Sequence, residues 1–156
     1  MTDLLVKLYD LPPVEPCLEA LGEQSILVRR AMASEKVPVT TWVQTLFGDG
    51  WTGECNVAFA RQPIACIVAA VGSRIVGFAC HETTCRDFFG PIGTDPAFRH
   101  KGVGRALLLY TLHDMARAGY AYAIIGGAGP MTFFETCVGA FPIPGSTPGI
   151  YRPGVK

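Results

Sequence analysis

Residues 25–31 alternate, with Ile26, Val28 and Arg30 on one side and Leu27, Arg29 and Ala31 on the other, the period-two pattern of a strand. Two apolar, β-branched runs follow at 64–71 and 74–83, joined by Gly72-Ser73, a pair suited to a tight hairpin turn; a third run at 87–94 continues the meander. Then the period changes. Leu108, Leu112 and Met115 form one stripe with His113, Asp114 and Arg117 opposite, which predicts an amphipathic helix over 103–118 capped by Gly119. Beyond it, 120–125 reads as a buried strand, 126–130 as a turn, and 131–138 as a short helix with Pro130 at its start. Pro142, Pro144, Pro148 and Pro153 leave room in the tail for short strands only.

Upstream, residues 4–8 read as extended and 14–21 as a short helix ended by Gly22, so 1–24 is expected to be an N-terminal extension packed on a domain of residues 25–156. Ser34 as N-cap, with Pro38 in the first turn, predicts a helix running to Phe47, where Gly48-Asp49-Gly50 breaks it. Residues 51–63 read as loop, holding at most a short helix. At 156 residues the chain is long enough for one sizeable core and one active site.

Charge changes this picture only locally. Lys plus Arg and Asp plus Glu both number 13, so no global field draws the chain to nucleic acid or an anionic membrane, and any anion needs a dedicated site. The N-terminus lacks a basic segment followed by a long apolar one, which predicts a cytoplasmic protein with no membrane partner. The six cysteines are then expected to be reduced and mostly buried. No metal is expected, because strand alternation points Cys80 and Cys85 to opposite faces and no Cys-x-x-Cys pair supports them.

The chemistry concentrates where strand gives way to helix. Thr94-Asp95-Pro96-Ala97-Phe98-Arg99-His100-Lys101-Gly102-Val103-Gly104-Arg105 is a basic turn with two glycines at the start of the long helix. Gly102 and Gly104 let a ligand approach the backbone, and the unpaired first-turn N–H groups with the positive end of the helix dipole suit a phosphate or pyrophosphate. A Rossmann fingerprint would need a third glycine where Leu107 stands, and a Walker loop would need Gly-Lys-Ser/Thr, which is absent.

Arg99-x-x-Gly102-x-Gly104, following an apolar strand, resembles the acetyl-CoA-binding motif of the GNAT acetyltransferases, and the order of elements over 25–151 is similar to theirs. The resemblance implies an α/β (α+β) fold, with a central, mostly antiparallel mixed sheet flanked by helices. It implies that backbone N–H groups from His100 through Lys101, Gly102, Val103 and Gly104 to Arg105 hold the CoA pyrophosphate, with Arg99, Lys101 and Arg105 offering side-chain contact. Ile92, Gly93 and Thr94 would pair with the pantetheine arm, and the thioester would lie where the strand carrying Ile92 splays from the one carrying Ile124. Acetyl-CoA is thus the expected cosubstrate. An unidentified small-molecule amine or protein amino group is the acceptor, acetylated by direct transfer in a ternary complex. Dimerisation is common in such proteins, so a homodimer is admitted.

Two departures bear on mechanism. The family's tyrosine, which protonates the leaving thiolate, aligns with Phe134 in Phe133-Phe134-Glu135, and its frequent asparagine aligns with Gly127. Water, Thr132 or a tyrosine such as Tyr122 would have to replace the acid. Glu82, beside His81, is the first candidate for general base, with Glu54 and Asp87 behind it. Trp42, Trp51, Phe88 and Phe89 are read as core before pocket. The competing expectation is a non-catalytic acyl-CoA-binding or sensing domain that kept the turn and lost the chemistry; a small nucleotide-binding protein is a third reading.

Overall fold

The computed structural model describes residues 1–155. Seven strands, β1 (Leu4–Lys7), β2 (Ile26–Arg30), β3 (Cys66–Val71), β4 (Arg74–His81), β5 (Phe88–Thr94), β6 (Tyr122–Ile125) and β7 (Phe141–Pro142), form one sheet. The order is β2-β3-β4-β5-β6-β1-β7. All neighbours run antiparallel except β5 and β6, which are parallel. Five helices flank the sheet: α1 (Glu15–Gly22), α2 (Lys36–Phe47), α3 (Asp49–Phe59), α4 (Val103–Arg117) and α5 (Met131–Val138). The mixed, mostly antiparallel α/β architecture read from the sequence is the one observed.

The two faces of the sheet carry separate cores. Phe78 and Cys80 of β4 face a cluster with Val39, Val43, Cys55 and Ala58 of α2 and α3, whereas Ala79 joins the cluster built around α4. Both faces of β3 and β4 are therefore covered, which explains their nearly continuous apolar runs. Leu107, Leu108, Leu109 and Leu112 of α4 are fully buried, each stabilising the fold by roughly 2 to 3 kcal/mol. Gly77 lets the helix sit this close: a Cβ there would meet Leu107 Cδ1 at 2.8 Å and Val103 Cγ1 at 3.0 Å.

Three elements differ from the sequence reading. Residues 1–24, expected as an extension packed on the domain, supply an interior strand, because Leu4 and Val6 are fully buried and β1 pairs with β6 on one edge and β7 on the other. Much of the expected loop is α3, in which Gly50 and Gly53 weaken local helix propensity while Cys55, Ala58 and Phe59 are buried against the sheet; tertiary packing overrides propensity. Asp114, placed on the polar face of α4, is turned inward. It accepts a hydrogen bond from His81 Nε2 at 2.9 Å and pairs with Arg30, fastening the C-terminal half of α4 to β2 and β4.

Candidate active site

The N-terminal end of α4 is prepared by two left-handed residues. His100 has φ 61° and Gly102 φ 91°, left-handed residues on either side of Lys101 directly ahead of α4, the kind of turn whose backbone N–H groups can form an anion-binding nest. Only Gly102 of the pair takes this conformation at no steric cost. Asp95 holds the approach to the turn by accepting from Ala97 N at 2.9 Å and from Arg74 at 3.1 Å; the Ala97 N–H is the main reason its carboxyl lies below the usual range.

A groove of about 440 Å³ runs from this turn toward the sheet. Ile92, Gly93 and Thr94 form one wall, Arg99, His100, Gly102, Gly104 and Arg105 the turn end, and Pro130, Phe133 and Phe134 the opposite wall. Of the residues read from the sequence as cofactor-binding, two stand apart. The Lys101 ammonium lies over the Phe98 ring, 5.0 Å from its centroid, and the Val103 side chain is buried in the α4 core, leaving its backbone N–H as its contribution. Arg105 lies between Cys17 of α1 and Cys137 of α5, whose sulfur atoms hold its pKa above the ordinary value.

The groove continues into a smaller cavity of about 160 Å³ where the parallel pair separates. β5 and β6 are paired at Phe88–Ile124 and Phe89–Ile125 and nowhere beyond, so the edge of β5 from Gly90 onward faces a gap. Ile92, Pro130 and Phe134 line both groove and gap, and Trp51 of α3 closes the far side. Phe134 is thus at the junction, with a ring that has no proton to give.

A tyrosine from the C-terminal tail lies beside the gap, with 43% of its surface exposed. Tyr151 lies across Gly126 and Gly127, where a Cβ on Gly127 would meet its ring carbons at 3.2 and 3.4 Å. Burial, with the charges of Asp3 and Glu54 adding to it, pushes the Tyr151 phenol up to about 12. Nothing in the local sequence marks this residue; only the path of the tail over β1 brings it there. Thr132 is exposed on α5, and Tyr122 stacks edge-on against Tyr9 at the opposite end of β6.

Glu82 is not brought to this site. One oxygen of its carboxylate accepts from Asp87 N at 2.5 Å and the other from the Tyr120 hydroxyl at 2.8 Å, tying the β4–β5 turn to the loop after α4. Asp87 sits beside it, its carboxyl pushed up by burial and by the Glu82 charge. Glu54 is better placed: it follows Trp51 by three residues on α3, hydrogen-bonds Thr84, and exerts its charge on Tyr151. Trp42 packs edge-on against Phe47 and Phe78, away from the gap.

A mixed sheet split between two parallel strands, with a basic two-glycine turn at the neighbouring helix, is the architecture of the acyl-CoA N-acyltransferase fold. The family model for the acetyltransferase (GNAT) domain matches residues 62–136, which include the turn, β5, β6 and most of α5. Residues 62–136 thus carry a GNAT acetyltransferase domain. Among solved structures it is similar to a GCN5-related glucosamine N-acetyltransferase region of a fungal multi-domain β-N-acetylglucosaminidase (TM-score 0.75, 14% identity, 91% of this chain and 19% of that one). It is also similar to a GCN5-related N-acetyltransferase from Sphaerobacter thermophilus (0.64, 18%, 91% and 48%). A third is a GNAT family acetyltransferase from Brucella melitensis in complex with acetyl-CoA (0.54, 13%, 71% and 80%). The chain spans about a fifth and about half of the first two. No curated protein matches by sequence. No helix among the described residues is long and apolar enough to cross a membrane.

Proposed function

We propose that the chain is an acetyl-CoA-dependent N-acetyltransferase that acetylates a primary amine by direct transfer in a ternary complex. The observation that carries this reading is the continuity of one groove from the nest at α4 to the open edge of β5. It offers, in order, donors for a pyrophosphate, an unpaired strand edge for the pantetheine amides, and a gap for the thioester. The complex of the Brucella melitensis relative with acetyl-CoA supports the same cosubstrate.

In this reading the amine enters from the α3 side, past Trp51. Its nitrogen attacks the thioester carbonyl, the N–C bond forms, the C–S bond breaks, and CoA leaves as a thiolate that takes its proton from solvent. Thiolates leave at modest cost, so Phe134 in place of a proton donor slows the enzyme without stopping it. Glu54 takes the proton of the amine, directly or through water. Tyr151, kept protonated by its raised pKa, donates a hydrogen bond to the charge that develops in the gap.

The second reading, a non-catalytic acyl-CoA-binding domain, draws on Phe134 and on the absence of a free carboxylate at Glu82. Calorimetric titration with acetyl-CoA, CoA and ATP, followed by a screen of amines for CoA release, separates them. Selective CoA binding with turnover supports the enzyme; CoA binding with no turnover on any amine supports the sensor; preference for ATP overturns both.

A further inference from the structure

Three cysteines that are far apart in the sequence meet on the face of the sheet opposite α4. Cys66 and Cys80 are directly opposed on β3 and β4, so their side chains share a face, and Cys55 reaches down from α3 onto them. Their sulfur atoms all lie within 4.8 Å of one another, and each residue is fully buried. Val39, Val43, Ala58 and Phe78 surround them, and no disulfide joins them. Hydrogen bonding to the Cys55 sulfur and burial push the Cys66 thiol up, and burial pushes up that of Cys80.

A donor set of sulfur alone selects a soft ion. Tetrahedral zinc wants a fourth ligand, and among the described residues no His, Asp, Glu or further Cys joins the group. Charge decides further. Three thiolates around a divalent ion leave one negative charge, and around copper(I) two, in a core with nothing to compensate them. A trivalent pnictogen leaves none, and its lone pair fills the fourth position.

We propose that Cys55, Cys66 and Cys80 form a binding site for a trivalent thiophilic oxyacid, arsenite or antimonite, held as a neutral tris-thiolate. Three As–O bonds break and three As–S bonds form; each thiol proton leaves with a hydroxide as water, with no change of oxidation state. Because Trp51 lies one helical turn before Cys55, occupancy clamps against the sheet the same helix that walls the gap. The proposal stands independently of acetyl transfer, since its readouts need neither CoA nor an amine.

Native mass spectrometry after incubation with arsenite is expected to find one arsenic per chain with three protons lost, and a higher thermal unfolding midpoint. A variant carrying Cys17→Ser, Cys85→Ser and Cys137→Ser together keeps the arsenic. Cys55→Ala, Cys66→Ala and Cys80→Ala each weaken binding by at least about a hundredfold, a loss that even an outer-shell partner can cause. Should those variants fail to fold, X-ray absorption of the arsenic-loaded intact protein is expected to show three sulfur neighbours and no oxygen. No arsenic on the intact protein, oxygen neighbours, binding that survives in folded single variants, or displacement by equimolar zinc or copper(I) overturns the proposal.

Discussion

The Gly127 N–H donates to the Asp3 carboxylate at 2.7 Å, joining the residue ahead of β1 to the loop that forms the floor of the gap. Asp3 is buried, its own N–H donates to Ser146 Oγ at 2.9 Å, and its carbonyl accepts from Ile143 N at 2.9 Å. One residue just ahead of β1 therefore holds both the Gly126–Gly127 loop and the tail that delivers Tyr151. Asp3→Ala leaves the half-buried Gly127 donor unpaired, at a cost of about 1 kcal/mol. The expected outcome is a lower kcat with acetyl-CoA affinity retained, read by stopped assays beside calorimetry.

Gly104 borders the groove where a Cβ would meet Phe133 and Thr94 at ordinary contact distances of 3.6 and 3.7 Å. The backbone accepts a side chain there, but a longer, negative one enters the pyrophosphate end. Gly104→Glu is expected to abolish CoA binding in calorimetry while the circular dichroism spectrum and unfolding midpoint stay near those of the parent chain. Unchanged CoA affinity would move the cosubstrate elsewhere.

Tyr151→Phe removes the hydroxyl that lies over Gly126, the donor of the proposed mechanism, and little else. Loss of a donor to a developing charge costs about a hundredfold in kcat or more, with ground-state binding spared. Because the phenol is held at about 12, Tyr151 stays protonated through the working range, and the alkaline limb of the activity profile is expected to be the same in both proteins. An equal loss in kcat and in acetyl-CoA affinity would instead make Tyr151 a structural brace.

Asp114 accepts from His81 Nε2 and pairs with Arg30 while only 12% of its side chain is exposed. Burial pushes its carboxyl up, but the hydrogen bonds from His81 and Arg30 outweigh burial and leave it below the usual range. Asp114→Ala strands a half-buried guanidinium and a buried imidazole, and is expected to cost on the order of 3 kcal/mol in urea unfolding. Since α4 carries the nest at its other end, weakened CoA binding is expected to accompany that loss.

Glu35 gives the fold an acid-sensitive contact at the entrance to α2. Hydrogen bonds from the Arg29 guanidinium at 2.6 and 2.9 Å, and one from the Met32 N–H at 2.8 Å, lower its carboxyl from an ordinary 4.5 to about 2. A lowered folded pKa means that the fold favours the ionised form, so this contribution is complete above about pH 4.5 and is lost as the pH falls toward 2. In urea titrations across that window, Glu35→Gln is expected to be less stable than the parent at neutral pH and to show a shallower acid decline.

The basic turn was legible because its signals are local: Gly102 and Gly104 sit three and five residues after Arg99, between an apolar strand and a 3.6-period stripe. Both sheet strands and long helices announce themselves through period alone, and α4 was read to within a residue at each end. The long-range features had no such signal. Burial of Leu4 and Val6 between β6 and β7 depends on a strand pairing across more than a hundred residues. The α3 helix forms against its own glycines because a sheet face needs covering.

What the sequence determined by itself is the order of most elements and the basic, two-glycine turn ahead of α4, since each rests on neighbours in the chain or on a motif a few residues long. Only the tertiary structure decided that Glu82 is committed to a turn, that Tyr151 returns over Gly127, and that Cys55, Cys66 and Cys80 converge. Those are contacts between segments brought together by burial of apolar surface, and the energy that selects them is summed over the whole core and not written in any single stretch.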